Sequence, residues 1–186
     1  MTAPLTRTFY RRYKPLLHRR IARELGPARR VLDIGCGDCT LAGPLARAVR
    51  QEVIGVDISD GRFPERREKA AGRHCVKADA RSLDFLGRES IDAVVSVWVL
   101  HELAAPMAVL REARRLLRPG GEILVVDFPR GSLAQRLWNE GYYTTGEVAD
   151  MLKRAGFARV QARRIARRQL TWARGFKPLR GRASSS

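Results

Sequence analysis

Residues 31–40 read Val-Leu-Asp-Ile-Gly-Cys-Gly-Asp-Cys-Thr, and the rest of the chain is organised around them. Val31 to Ile34 has the apolar run of a buried strand. Gly35-Cys36-Gly37 supplies flexible backbone for a tight turn. The apolar pattern from Leu41 onward predicts a helix. A strand, a glycine turn and a helix make a nucleotide cradle: the glycines allow close approach of a ligand, and the free N–H groups of the next helix face the same spot.

Working outward, the pattern repeats. Strands are predicted at Arg30–Ile34, Glu52–Asp57, His74–Ala78, Ile91–Trp98 and Glu122–Phe128. Ile91–Trp98 is apolar at nearly every position, as a strand covered on both faces requires. Helices are predicted over Phe9–Leu25, Leu41–Arg50, Pro64–Ala71 and Pro106–Arg118, the last stopped by Pro119-Gly120-Gly121. Residues 1–8 are expected outside any element, and Pro15 is expected at a bend or break. Thr144 and Glu147 have the spacing of a capping box, so a further helix starts there and ends at Gly156. A short helix is read around Leu133–Trp138, and two short strands around Ala158–Ala162 and Gln169–Ala173. Strands alternating with helices imply an α/β fold, a doubly wound parallel sheet joined by right-handed crossovers.

Acids recur at the strand ends. Asp33 precedes the glycines, Asp57 closes the second strand a little over twenty residues later, and Asp79 sits just past the third. Ligands bind at this end of open parallel sheets, and an acid in the position of Asp57 accepts hydrogen bonds from ribose hydroxyls. Asp79, or the backbone beside it, is placed to meet an adenine edge. A dinucleotide fingerprint would need a third glycine where Thr40 stands, and Asp33 would lie against a pyrophosphate. S-adenosyl-L-methionine has no phosphate; its sulfonium and ammonium groups suit an acidic strand end.

The segments VLDIGCGDCT, GVDIS, KADARSLDF, IDAVVSVWVLHEL, LLRPGGEILVVDF and YYTTGEVADMLKRAGF, which together reach from about Arg30 to Val160, carry a resemblance. The chain resembles the class I S-adenosylmethionine-dependent methyltransferases, in the group that includes the ubiquinone/menaquinone C-methyltransferase-like (type 11) enzymes. The resemblance implies a Rossmann-like sheet of seven strands, mostly parallel with the last antiparallel, and helices on both faces. It implies that Asp33 or the Gly35–Gly37 backbone holds the amino-acid part of the cofactor, Asp57 the ribose, and Asp79 with Ala80 the adenine. Ile58, within GVDIS, and Trp98 complete the expected cofactor set; Trp98 has a second reading as a packing residue.

Methyl transfer needs alignment and exclusion of water, and a base only if the acceptor enters protonated. His101, just after the fourth strand, is the candidate base, with a capping or supporting role as the alternative; Glu102 is a weaker candidate. The Asn-Pro-Pro-aromatic motif of amino-methyltransferases acting on adenine or cytosine is replaced by Ser96-Val97-Trp98-Val99. Cys36 and Cys39 have the spacing of a redox or metal pair, yet no second such pair exists, and they are read as structural thiols with no metal. The three cysteines of the chain point to a reducing, cytoplasmic setting.

The chain has 36 Lys and Arg against 19 Asp and Glu, a net charge of +17. Such a balance favours polyanions or acidic proteins, and it also fits a solvated arginine-rich surface. Basic residues concentrate before Arg23 and after Arg159, with Trp172 and Phe176 interleaved in the second group. A small organic methyl acceptor is the leading expectation, with RNA or an acidic protein as the other acceptor classes and a non-catalytic polyanion-binding module as a third reading. Trp138, Tyr142 and Tyr143 either wall an acceptor pocket or pack the core. The expected layout is a basic helical extension over 1–29, a methyltransferase domain over 30–177 and a disordered tail over 178–186. No run approaches the length needed to cross a bilayer.

Overall fold

The protein is described by a computed structural model covering residues 3–49, 52–64 and 72–180. The strands are β1 (Arg30–Ile34), β2 (Glu52–Asp57), β3 (Arg73–Lys77), β4 (Ile91–Val97), β5 (Leu117–Asp127), β6 (Ala158–Ile165) and β7 (Leu170–Phe176). The helices are α1 (Ala3–Glu24), α2 (Ala42–Val49), α3 (Pro106–Leu116), α4 (Leu133–Trp138) and α5 (Thr145–Arg154). They form one seven-stranded sheet in the order β3-β2-β1-β4-β5-β7-β6. Pairing is parallel from β3 through to β5, and β7 runs antiparallel to both β5 and β6. The chain winds outward from β1 to β2 and β3, then crosses to β4 on the other side. The crevice at this reversal is where open α/β sheets bind ligands.

Alternation along the strands sorts the core onto two faces. Leu32, Ile34, Ile54, Val56, Val94, Ile123 and Val125 pack with α3 and α5. Val31, Val53, Ala93, Val95, Leu124 and Val126 pack with α1 and α2. Leu32 and Leu124 are fully buried, one on each face; truncating either to Ala costs about 2–5 kcal/mol. Asp33 follows Leu32 and so falls on the α1 side of the sheet.

Several expected boundaries shift. The helix α1 starts at Ala3 and runs through Pro15 without a break. Its Leu17, Ile21, Ala22 and Leu25 neighbours are buried, and this packing outweighs the one backbone hydrogen bond that proline removes. Tyr13 and Leu16, apolar residues of the same helix, are about half exposed. The fourth strand ends at Val97, because Trp98 has a left-handed φ of 58°. The fifth begins at Leu117, through the Pro119-Gly120-Gly121 turn, with a register shift against β4. Strand β6 reaches Ile165 and β7 reaches Phe176, since each completes the other's antiparallel ladder. The predicted helix over Pro64–Ala71 and the tail from Gly181 lie outside the described residues, except for Pro64 itself. Thr144 and Glu147 form the capping box in both directions, starting α5.

The three cysteines depart from the reading as separate structural thiols. Cys39 is joined to Cys75 in a disulfide, and Cys36 remains a buried thiol. The parallel register of β2 with β3 sets Cys75 beside Gly55, under the turn that carries the other two.

Candidate functional site

A cavity of about 830 Å³ opens at the C-terminal ends of β1, β2, β3 and β4. Asp33, Gly35, Gly37, Asp57, Ile58, Asp79, Ala80 and Trp98 all line it. Residues up to 65 positions apart in sequence, Asp33 and Trp98, thus meet in one place, because parallel strands all end on the same side.

The turn after β1 is built for close approach. Gly35 has φ of 71°, and a Cβ there would come within 2.3 Å of the Val99 side chain, so only glycine fits. The N–H groups of Gly35 and Cys36 both donate to the Val56 carbonyl, which ties the turn to β2. The Gly37 N–H donates to Asp57 Oδ2 at 2.9 Å, and Ser59 N–H donates to Asp57 Oδ1 at 3.1 Å. Asp57 is therefore held facing the turn while still lining the cavity.

Asp33 is the most perturbed acid. It is 2% exposed. Burial, reinforced by the nearby charges of Asp38 and Asp57 and only partly offset by Lys14, pushes its carboxyl up to about 8. A carboxyl so placed ionises readily only beside a cation. Asp79 differs: its carboxylate is turned to Arg81, with Nη2 to Oδ2 at 2.6 Å, and hydrogen bonding from the Arg81 side chain and backbone holds it below the usual range. Ala78, Asp79 and Ala80 then offer backbone rather than a free carboxylate to that end of the cavity.

Helix α1 supplies two lining residues not singled out by the sequence reading, Lys14 and His18. Lys14 Nζ pairs with Asp38 at 2.8 Å. His18 is buried, and desolvation, helped by the charge of Lys14, lowers it to about 4, so it is neutral at pH 7. No periodic signal marks these two as ligand-facing, and His18, one turn before the buried Ala22, lies on the packed face of α1. Arg62 also reaches the cavity.

His101 is not among the residues lining the cavity; its neighbour Glu102 is. His101 sits in a single 3-10 turn, Leu100–Glu102, with a nearly buried side chain. Its Nδ1 is 2.7 Å from Asp127 Oδ1, and its backbone N–H donates to Asp127 Oδ2 at 3.1 Å. Its Nε2 is 3.2 Å from Glu140 Oε2, which also accepts from the Tyr142 hydroxyl at 2.7 Å. Burial opposes the imidazolium, but the hydrogen bond and charge of Asp127, with Glu102 and Glu140, outweigh it and raise the His101 pKa. Asp127 ends β5. The strand-end rule that marks Asp33, Asp57 and Asp79 would have found it, had it been applied to the fifth strand.

The aromatic residues divide. Trp98 lines the cavity and stacks on Phe128, with centroids 5.7 Å apart. Phe128 and Tyr142 are buried and meet edge to face, and Trp138 tilts against Phe128. This cluster joins the core to the wall beside His101.

The Methyltransferase domain family matches residues 32–125, half of the chain. The chain is 30% identical, over 81% of its length, to the ubiquinone biosynthesis O-methyltransferase of Ruegeria pomeroyi, of which it spans 70%. It is 32% identical to an uncharacterized 37.1 kDa protein in a Streptomyces fradiae transposon, matching over 78% of its own length and 44% of that protein's. The chain thus spans less than half of that relative. Its fold is shared with a Burkholderia thailandensis 1,6-didemethyltoxoflavin-N1-methyltransferase solved with S-adenosylhomocysteine, at a TM-score of 0.69 and 22% identity, covering 92% of this chain and 84% of that one. Switch-point crevice, strand-end acids and family match agree, and the chain belongs to the class I S-adenosylmethionine-dependent methyltransferases, related to the type 11 group.

Proposed function

We propose that the protein transfers the methyl group of S-adenosylmethionine to a small organic acceptor bearing a protonated nucleophile, such as a hydroxyl. The carrying observation is the gathering of Asp33, Asp57 and the Asp79–Ala80 strand end about one cavity at the switch point. The residues present fit the cofactor: Asp33 is a buried carboxyl that ionises beside a cation, and Asp57 is an acceptor already oriented by backbone N–H groups. When bound, S-adenosylmethionine supplies a methyl group activated by its sulfonium.

In this reading Asp33 and the Gly35–Gly37 backbone hold the amino-acid part, Asp57 the ribose and the Asp79–Ala80 backbone the adenine. Ile58, 68% exposed at the cavity rim, and Trp98 provide apolar cover. His101 takes the acceptor's proton at Nε2. Asp127 fixes the ring by holding Nδ1, the arrangement that leaves the other nitrogen for proton transfer. Glu140 occupies Nε2 from the exposed segment before α5, so an acceptor must displace it to reach the base. The likeness to a ubiquinone biosynthesis O-methyltransferase supports the hydroxyl acceptor. Among the described residues no helix is long and apolar enough to cross a membrane. A cytoplasmic setting belongs to this proposal, supported by the odd cysteine count. Binding of S-adenosylmethionine and S-adenosylhomocysteine but not NAD by calorimetry, weakened in D57A, tests the cofactor assignment; binding of NAD alone would sink it.

A second reading, an RNA or acidic-protein acceptor, is favoured by one observation. Arg163, Arg164, Arg167 and Arg168 stand exposed along the outer edge of the sheet and its hairpin turn. Binding to a polyanion that weakens steeply with salt would support it.

A further inference from the structure

All three cysteines of the chain meet at one point, although Cys75 is 36 residues from Cys39. Their Sγ atoms lie within 4.8 Å of one another. Cys39 is bonded to Cys75, and the Cys36 sulfur stands 3.4 Å from that of Cys39. Room for this cluster is left by Gly55 in the middle of β2. A Cβ there would come within 2.9 Å of both Cβ and Sγ of Cys36, and 3.6 Å from the Cys39 sulfur. Glycine inside a buried strand weakens it, and often marks a place where other atoms must come close. Here those atoms are sulfur. The proposed methyl transfer uses none of the three thiols; Cys36 lines the cavity, while Cys39 and Cys75 are not among its lining residues.

Three sulfurs that all lie within 4.8 Å of one another are close enough to serve one centre. Thiolates bind soft cations, with metal–sulfur distances of about 2.3 Å, which places neighbouring ligand sulfurs about 3.8–4 Å apart. The Cys36–Cys39 separation of 3.4 Å is slightly short of that spacing, and the bonded Cys39 and Cys75 sulfurs must part to reach it. We propose that, once the Cys39–Cys75 bond is reduced, Cys36, Cys39 and Cys75 form a three-thiolate site for a soft divalent d10 cation of the zinc and cadmium type.

The two forms exclude each other. Two equivalents of a low-molecular-weight thiol reduce the Cys39–Cys75 bond, each sulfur gaining one proton and one electron, and leave as one small disulfide. The three thiols then bind one divalent cation and release three protons, giving a centre of net charge −1. The centre ties the turn after β1 to β3, as the disulfide does, and among the described residues its donor set is these three sulfurs.

The test uses the full chain, with the disulfide intact or reduced by a phosphine, titrated with cadmium(II) alone. Thiol counting establishes the redox state and circular dichroism the fold. The expected result is one equivalent of cadmium in the reduced protein, with a thiolate-to-cadmium ultraviolet band, and no such band in the oxidised protein. C36A leaves the disulfide pair untouched and should lower cadmium affinity about 100-fold in the reduced state; C75S should do the same. A reduced, folded protein that takes up no cadmium overturns the proposal, as does C36A binding as tightly as the unaltered chain. A reduced protein that loses its fold overturns it as well.

Discussion

The crevice in the middle of the sheet and the sheet's far edge differ in charge. At the switch point Asp33, Asp57 and Glu102 line the cavity, beside Lys14, Arg62 and the Asp79–Arg81 pair. At the far edge, β6 and its hairpin turn present Arg163, Arg164, Arg167 and Arg168 to solvent. The whole-chain charge of +17 describes the second region and is misleading about the first. Burial makes the difference. An exposed arginine is screened by water and salt, and contributes little to any one contact. A carboxyl as buried as Asp33 feels its few neighbours strongly, so a handful of acids sets the local chemistry against an excess of distant bases.

The comparison can be broken most sharply at His101. In H101Q, kcat with a hydroxyl acceptor should fall about 10²–10⁴-fold, the usual range for removing a general base. The ascending limb of kcat against pH should have its midpoint above the ordinary histidine value, because the base must first lose a proton that Asp127 helps it keep. D127N should bring that midpoint down. A flat profile in the unaltered enzyme would remove His101 from the chemistry.

The next effect is on cofactor binding. D57A loses a charged hydrogen-bond acceptor and should weaken S-adenosylmethionine by about 1–3 kcal/mol, read by calorimetry. Unchanged affinity would mean that the acids at the strand ends do not define the site.

Asp33 offers a test without any ligand. Its carboxyl is raised from 3.8 to about 8 in the folded protein. Between those values the folded chain keeps a proton that the unfolded chain has released, so this group's contribution makes stability fall as pH rises. His18 has the opposite sign: lowered from 6.5 to about 4, its contribution is lost as pH falls through that window. Above pH 6.5 the His18 effect is complete. Thermal melts of ligand-free protein at pH 6.5 and 8 should therefore show D33N gaining on the unaltered chain, on the order of 1–2 kcal/mol. A constant difference between the two would show that Asp33 is ionised across the range.

The smallest effect is expected at the basic edge. Reversing Arg163, Arg167 and Arg168 to Glu should leave cofactor affinity and folding stability within about 0.5 kcal/mol, as surface changes do. If that triple change abolishes turnover of the acceptor, the polyanion reading gains and the small-molecule reading loses.

Much of the architecture was legible because it rests on local signals. The strands β1 and β2, the helix α4 and the capping box before α5 lie where periodicity and capping chemistry put them. The less legible boundaries depend on partners. The ends of β6 and β7 are set by pairing with each other, and the end of β4 by the left-handed backbone of Trp98. Exposure of Leu16, against burial of Leu17, follows from which side of α1 meets the sheet.

The candidate site divides in the same way. By itself the sequence determined the family, the strand-end acids and the glycine turn, since these are properties of short segments whose spacing is readable in one dimension. Only the tertiary structure decided that Lys14 and His18 lie against the cavity, that Asp79 turns to Arg81, that Asp127 and Glu140 flank His101, and that three cysteines converge beneath the turn. Apart from the Asp79–Arg81 pair, two residues apart, each of these is a contact between segments distant in the chain. Packing of helices and register of strands choose such contacts, and no local pattern records them.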